Sequence, residues 1–195
     1  MTIRLLAAGT LLAGCLLNSA CAPLVVGGAA ATTASLAHDR RTTGSVVEDK
    51  AIKARVVHAL GADTELDNNS HINVAVFNGW VLLSGETPTD AFRTRAGNLA
   101  RKQEKVRRLY NELTIAAPSS VMTRSSDSWI TTKVKSSLVG LDIEGFDPSR
   151  VKVVTENGTV FLMGLVYHAE ADAAVTEAQQ PSGVQRVVKL FEYLD

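Results

Sequence analysis

The sequence predicts an α+β fold made of two tandem copies of one αββαβ unit. Each copy has a small three-stranded mixed sheet with two helices on one face. Three observations carry this. "VFNGWVLLSG" (76–85) and "TENGTVFLMG" (155–164) share an Asn-Gly pair, then Val, an apolar residue, Leu and a closing Gly. Ile52, Val56, Ala59 and Leu60 fall on one helical face, and so do Ile130, Val134, Ser137 and Leu138, 78 residues further on (52 to 130). Ala91, Ala96 and Ala100 match Ala169, Ala174 and Ala178, where small residues let a second helix approach a sheet closely.

Each copy opens on the amphipathic helix, for which Asp49 and Asp127 are the expected N-caps. Asn-Gly between alternating apolar residues signals a hairpin, because a type I′ turn needs positive φ at both central positions. The Ala-rich helices are expected over 90–105 and 169–180. "VRRLYNELTIA" and "VQRVVKLFEYL" supply the last strands. Pro118, Ser119 and Ser120 separate the copies. The free sheet faces do not read as strongly apolar, so the copies are expected to touch only loosely.

The segments before the repeat have other roles. "MTIRLLAAGTLLAGCLLNSAC" carries one basic residue, an apolar run and small residues before a cysteine, the pattern of an export signal. Leu5–Leu17 is too short to span a bilayer, which takes about 20 apolar residues. The expected organisation is a signal over 1–20, an Ala/Gly/Thr-rich tether over 21–46, and folded copies over 47–117 and 125–195. Cys15 and Cys21 both lie in or at the end of the leader, so the folded copies contain no thiol for a disulfide, a nucleophile or a metal. Both cysteines sit in stretches that resemble the lipobox of bacterial lipoproteins. Cys21 is the expected site of lipid attachment because it leaves a leader of normal length. Cys15, preceded by the better local match "LAG", is the alternative.

Twenty basic and twenty acidic residues leave no net charge, so the molecule as a whole is no polyanion binder. With export and no aromatic interleaving to stack bases, nucleic acid is not an expected partner. His38, His58, His71 and His168 form no His-x-x-x-His pair. Ser84-Gly85 lacks the flanking glycine of a nucleophile elbow, and no phosphate-binding loop follows a strand. No enzymatic activity, cofactor or metal site is expected.

On a helical wheel Trp129 lies off the core face, beside Thr132, Lys133 and Ser136, with Val139 at the edge. A ring that enters the headgroup layer next to an ammonium suits a membrane interface. The first copy has Ala51, Arg55 and Gly61 in place of Trp129, Lys133 and Val139, so the fold does not need the indole. Over 93–108 the first copy's second helix and the residues just after it carry Arg93, Arg95, Arg101, Lys102, Lys105, Arg107 and Arg108 against a single acid, Glu104. They could dock the copies, attract an anionic surface or face solvent.

The Asp-x-x-Ile-x-x-x-Val-x-x-x-Leu helix, the Asn-Gly hairpin closing on Leu-x-Gly and the Val-Gln-Arg-Val ending resemble the BON domain. Two of these behind a lipobox are similar to the dual-BON outer-membrane lipoproteins. The resemblance implies a lipid-anchored protein of the outer membrane that faces the periplasm, binds anionic phospholipid, supports envelope integrity and gathers at division sites. It also places lipid contact on the first helix of the second copy, that of Trp129, Thr132, Lys133, Ser136 and Val139. The alternative is an adaptor for an envelope protein partner in outer-membrane assembly or peptidoglycan remodelling.

Overall fold

The computed structural model describes residues 39–141 and 143–195. Cys15, Cys21 and most of the stretch read as tether lie outside them. The first copy comprises α1 (Thr43–Gly61), a short α2 (Thr64–Asn69), β1 (His71–Phe77), β2 (Trp80–Thr87), α3 (Asp90–Arg101) and β3 (Arg108–Ile115). The second comprises α4 (Val121–Val139), β4 (Val151–Glu156), β5 (Thr159–Val166), α5 (His168–Ala178) and β6 (Arg186–Tyr193). In each sheet the hairpin pair is antiparallel and the last strand runs parallel to the central one, in the order β1-β2-β3 and β4-β5-β6. Ile52, Val56 and Leu60 on α1, and Ile130, Val134 and Leu138 on α4, pack with the inner sheet faces. Ala96, Ala100, Ala174 and Ala178 are fully buried, while Ala91 and Ala169 are exposed. α2, which the sequence did not suggest, is capped by Asp63 and buries Leu66 against the first core.

The first helix of each copy begins a turn or more before its expected cap. Thr42 caps α1 through the Ser45 amide at 3.1 Å, and Ser120 caps α4 through the Thr123 amide at 3.2 Å. Asp49 and Asp127 are therefore not N-caps. They sit inside their helices, 6% and 5% exposed, and each carboxylate accepts both amides of its own hairpin turn. Asp49 takes Asn78 N and Gly79 N, each at 2.7 Å, and Asp127 takes Asn157 N and Gly158 N, each at 2.9 Å. The turns have the positive φ of a type I′ turn (49° and 73°; 46° and 70°), which leaves their amides pointing inward in need of an acceptor.

The loose contact expected between copies is not what forms. The two sheets pack face to face through Ala75, Phe77 and Leu82 of the first and Phe161, Met163 and Leu190 of the second, flanked by Trp80, Tyr110, Val154 and Val188. The central strands contain the continuous apolar runs "WVLL" (80–83) and "VFLM" (160–163), the mark of a strand covered on both faces. The layers thus run helices, sheet, sheet, helices. Trp80 lies in this seam, 5.7 Å from Tyr110 and beneath the Arg108 guanidinium at 4.5 Å.

Polar contacts cross the seam in a near-twofold pattern. The Asn78 side chain donates to Glu192 of the second copy at 2.6 Å, and the Asn157 side chain donates to Glu86 of the first. Arg107 pairs with Glu192 at 2.9 Å, so part of the basic cluster does dock the copies. Much of the rest is paired within its own copy, Arg95 with Asp63 and Glu65, and Lys105 with Glu48. Residues just before α1 are also fastened: Arg40 forms a two-pronged pair with Glu170 at 2.6 and 2.8 Å, and Arg41 bridges Asp39 and Asp49.

Lys152 crosses the seam to donate to Val76 O at 3.0 Å. Burial, and after it Lys53 and Arg41, push its ammonium down to about 8. A depressed lysine favours the unfolded chain wherever the proton is bound. Its cost is therefore complete at pH 7 and is relieved as pH rises from about 8 to the ordinary value near 10.5. Lys152→Met should gain about 1–2 kcal/mol at pH 7 after the lost hydrogen bond is counted, and should flatten the rise in stability above pH 8. Urea melts from pH 7 to 10 test both effects.

Candidate membrane-contact face

α4 turns one stripe to the core and the opposite one to solvent. Trp129 is 64% exposed and Val139 71%, and Thr132 and Ser136 are exposed between them. Val121 (70%) and Met122 (80%) extend the apolar surface to the start of the helix. Met122, Trp129 and Ser136 recur every seven residues and so share a line along the axis. Sequence reasoning missed Met122 and Val121 because it began the helix near Asp127; their signal was Ser120 as a cap ahead of them.

Lys133 is half-buried, and its ammonium is held by the carbonyl and hydroxyl of Ser182, the latter at 2.9 Å. Lys133 follows Trp129 by one helical turn, and its head is fixed at Ser182. The only acid on α4 is Asp127, which is buried in the turn clamp, while Lys135 is exposed. Ser125, Ser128 and Thr132 return their hydroxyl hydrogens to the carbonyls four residues back, each at 3.0 Å. With those donors satisfied inside the helix, the face can enter a water-poor layer at little cost.

α1 offers a comparison inside the same chain. Where α4 has Val121, Met122, Trp129 and Val139, α1 has Thr43, Gly44, Ala51 and Gly61. Both helices bury the same inner residues, so the outer apolar set is not a packing requirement. None of the described helices is long and apolar enough to cross a membrane.

The structure gives Ser84 no catalytic setting: it is 1% exposed and its hydroxyl faces Glu156 at 3.4 Å. His168 pairs with Asp195 at 2.7 Å and stacks on Tyr193.

Two αββαβ units of this kind, each with its turn clamped by a helix aspartate, define a tandem BON-domain protein. Residues 48–117 and 126–195 both match the family model described as "BON domain", and the chain belongs to that family. It is 39% identical over 176 residues to the outer membrane lipoprotein DolP of Haemophilus influenzae, covering 90% of this chain and 89% of that one. It is 41% identical over 156 residues to a 21 kDa hemolysin of Actinobacillus pleuropneumoniae, covering 80% and 79%. Among solved structures, a structural protein of the type III secretion system of Chlamydia trachomatis aligns over 72% of this chain and 91% of that one, at 12% identity and a TM-score of 0.31.

Proposed function

We propose that this chain is a lipoprotein of the outer membrane, anchored at Cys21 and facing the periplasm, that lays α4 of its second domain on anionic phospholipid. Through that contact it supports envelope integrity and cell division. The name of the Haemophilus influenzae relative supports the anchored, outer-membrane setting. The observation that carries the lipid contact is the exposed apolar set Val121, Met122, Trp129 and Val139. It is present on α4, absent at the matching positions of α1, and shares its helix with Lys133 and Lys135 and no exposed acid.

The energies are modest. Burying most of an exposed indole contributes about 3 kcal/mol at roughly 25 cal/mol per Å². Each lysine near an anionic surface adds about 1 kcal/mol. That suffices to orient a tethered protein but not to hold it, which is the work of the acyl chains.

Sedimentation of residues 39–195 with phosphatidylglycerol vesicles tests the reading. Trp129→Glu should weaken binding at least tenfold and leave the far-ultraviolet circular dichroism spectrum unchanged. Equal binding by variant and wild type would reject the α4 contact. A protein cross-linked at α4, with no vesicle binding, would favour the adaptor. Mass spectrometry of the mature N-terminal peptide decides between Cys21 and Cys15.

A further inference from the structure

We propose that His71, Glu86 and Glu156 form a site for a divalent transition-metal ion that clips the first BON domain to the second. His71 opens β1, Glu86 lies opposite it on β2, and Glu156 closes β4 of the other domain. One ligand atom from each lies within 4.8 Å of the other two. Glu86 is 1% exposed and Glu156 7%, while the His71 side chain is 31% exposed. His71 and Glu156 line a cleft of about 390 Å³, which gives an ion a way in.

The two carboxylates are held as metal ligands are, by outer hydrogen bonds that fix their orientation. Glu86 accepts from the Asn157 side chain and from Ser119 N, the latter at 3.1 Å. Glu156 Oε2 accepts from Ser84 at 3.4 Å. Its other oxygen, Oε1, receives no hydrogen bond among the described residues and faces His71 Nε2 at 3.9 Å. This carboxylate oxygen and the imidazole nitrogen face each other at the edge of the cleft, where one ion could join them.

Charge points the same way. Two buried carboxylates side by side are costly unless a cation joins them. Among the described residues no lysine or arginine lies within ion-pair distance of either glutamate. Arg124 lines the cleft but donates to Ser119 O at 3.2 Å. The opposite end of the seam shows the usual remedy, with Arg107 on Glu192. Arg107 N donates to Gly79 O, and its counterpart is Gln185, whose N donates to Gly158 O. A neutral side chain therefore stands where the other end places its cation.

One imidazole and two carboxylates select zinc or a neighbouring first-row divalent ion over calcium or magnesium, which prefer all-oxygen ligand sets. Three protein ligands leave a position for water.

The test uses the full-length chain in neutral detergent, stripped with EDTA and titrated with zinc chloride by calorimetry and thermal melting. The expected result is one saturable site per chain and a raised Tm, with no shift from equal calcium or magnesium. Glu156→Gln and His71→Asn should each weaken zinc binding at least tenfold without lowering the metal-free Tm. His71 is partly exposed, so its variant keeps the test open should the buried one unfold. His168→Ala should leave the site intact, because the exposed His168–Asp195 pair is the competing surface site. Absence of saturable zinc binding, binding that survives both ligand variants, or binding lost with His168→Ala would overturn the proposal.

Discussion

Gly85→Ala is expected to unfold the first domain or cost it 4 kcal/mol or more, one of the largest effects of any single methyl group in the chain. Gly85 lies in β2 opposite Ile72 with φ at +117°. A Cβ there would stand 2.0 Å from the carbonyl oxygen of His71, a backbone atom that no rotamer change can move. The substitution adds two penalties. A side-chain residue in that backbone conformation costs about 1–3 kcal/mol. Relief of the overlap must also push β1 away from the central strand, where Val74 and Val76 fill the core. A domain of this size has about 5–10 kcal/mol to lose. The second copy sets the scale: Gly164, at the matching place in β5, would bring a Cβ to 2.8 Å from Arg150 O without the positive φ. Gly164→Ala should cost about half as much. Urea denaturation of the two variants tests the order. A Gly85→Ala protein within 1 kcal/mol of wild type would mean that β1 does not approach β2 so closely.

That glycine was legible in the sequence as the last letter of a repeated phrase, although its reason was not. The repeat itself carried much: copies that align with a single inserted residue must fold alike, so the helix wheel of one copy could be checked against the other. Trp129 stood out because Ala51 shows that the site tolerates a methyl. What could not be read were pairings between distant segments. Asp49 sits where a helix cap is plausible, and only the folded chain brings it to a turn some thirty residues later. Phe161 and Met163 lie on a sheet face that did not read as strongly apolar, because nothing local says that a second sheet will cover it. His71, Glu86 and Glu156 come from three strands of two domains, at no spacing that a ligand motif would show. Local chemistry is written in neighbouring residues, whereas contacts across the seam depend on how two finished sheets dock.

Asp127→Ala should destabilise the second domain by about 3–5 kcal/mol, although Asp127 touches neither the lipid face nor the seam core. Among the described residues its carboxylate alone accepts from the amides of Asn157 and Gly158, both at 2.9 Å. A hydrogen bond to a charged group contributes about 1.5–3 kcal/mol, and an amide left buried without a partner forfeits its hydration as well. The loss then spreads, since a slack turn releases the Asn157 side chain from Glu86 and loosens that end of the seam. Asp127→Asn should fall between alanine and wild type, because an amide oxygen can accept from one of the two donors while its NH₂ opposes the other. Asp49→Ala should cost at least as much in the first domain. It also strips Arg41 of a partner at 2.7 Å and leaves that guanidinium held by Asp39 and the Phe77 ring. The two tryptophans report separately, Trp80 from the seam and Trp129 from the outside of α4. Urea melts followed by their fluorescence in Trp129→Phe and Trp80→Phe backgrounds therefore assign each loss to a place. Ser128→Ala, a neighbouring exposed position, is the control. If Asp127→Ala shifts the midpoint no further than that control, the turn clamp is not what holds the second copy together.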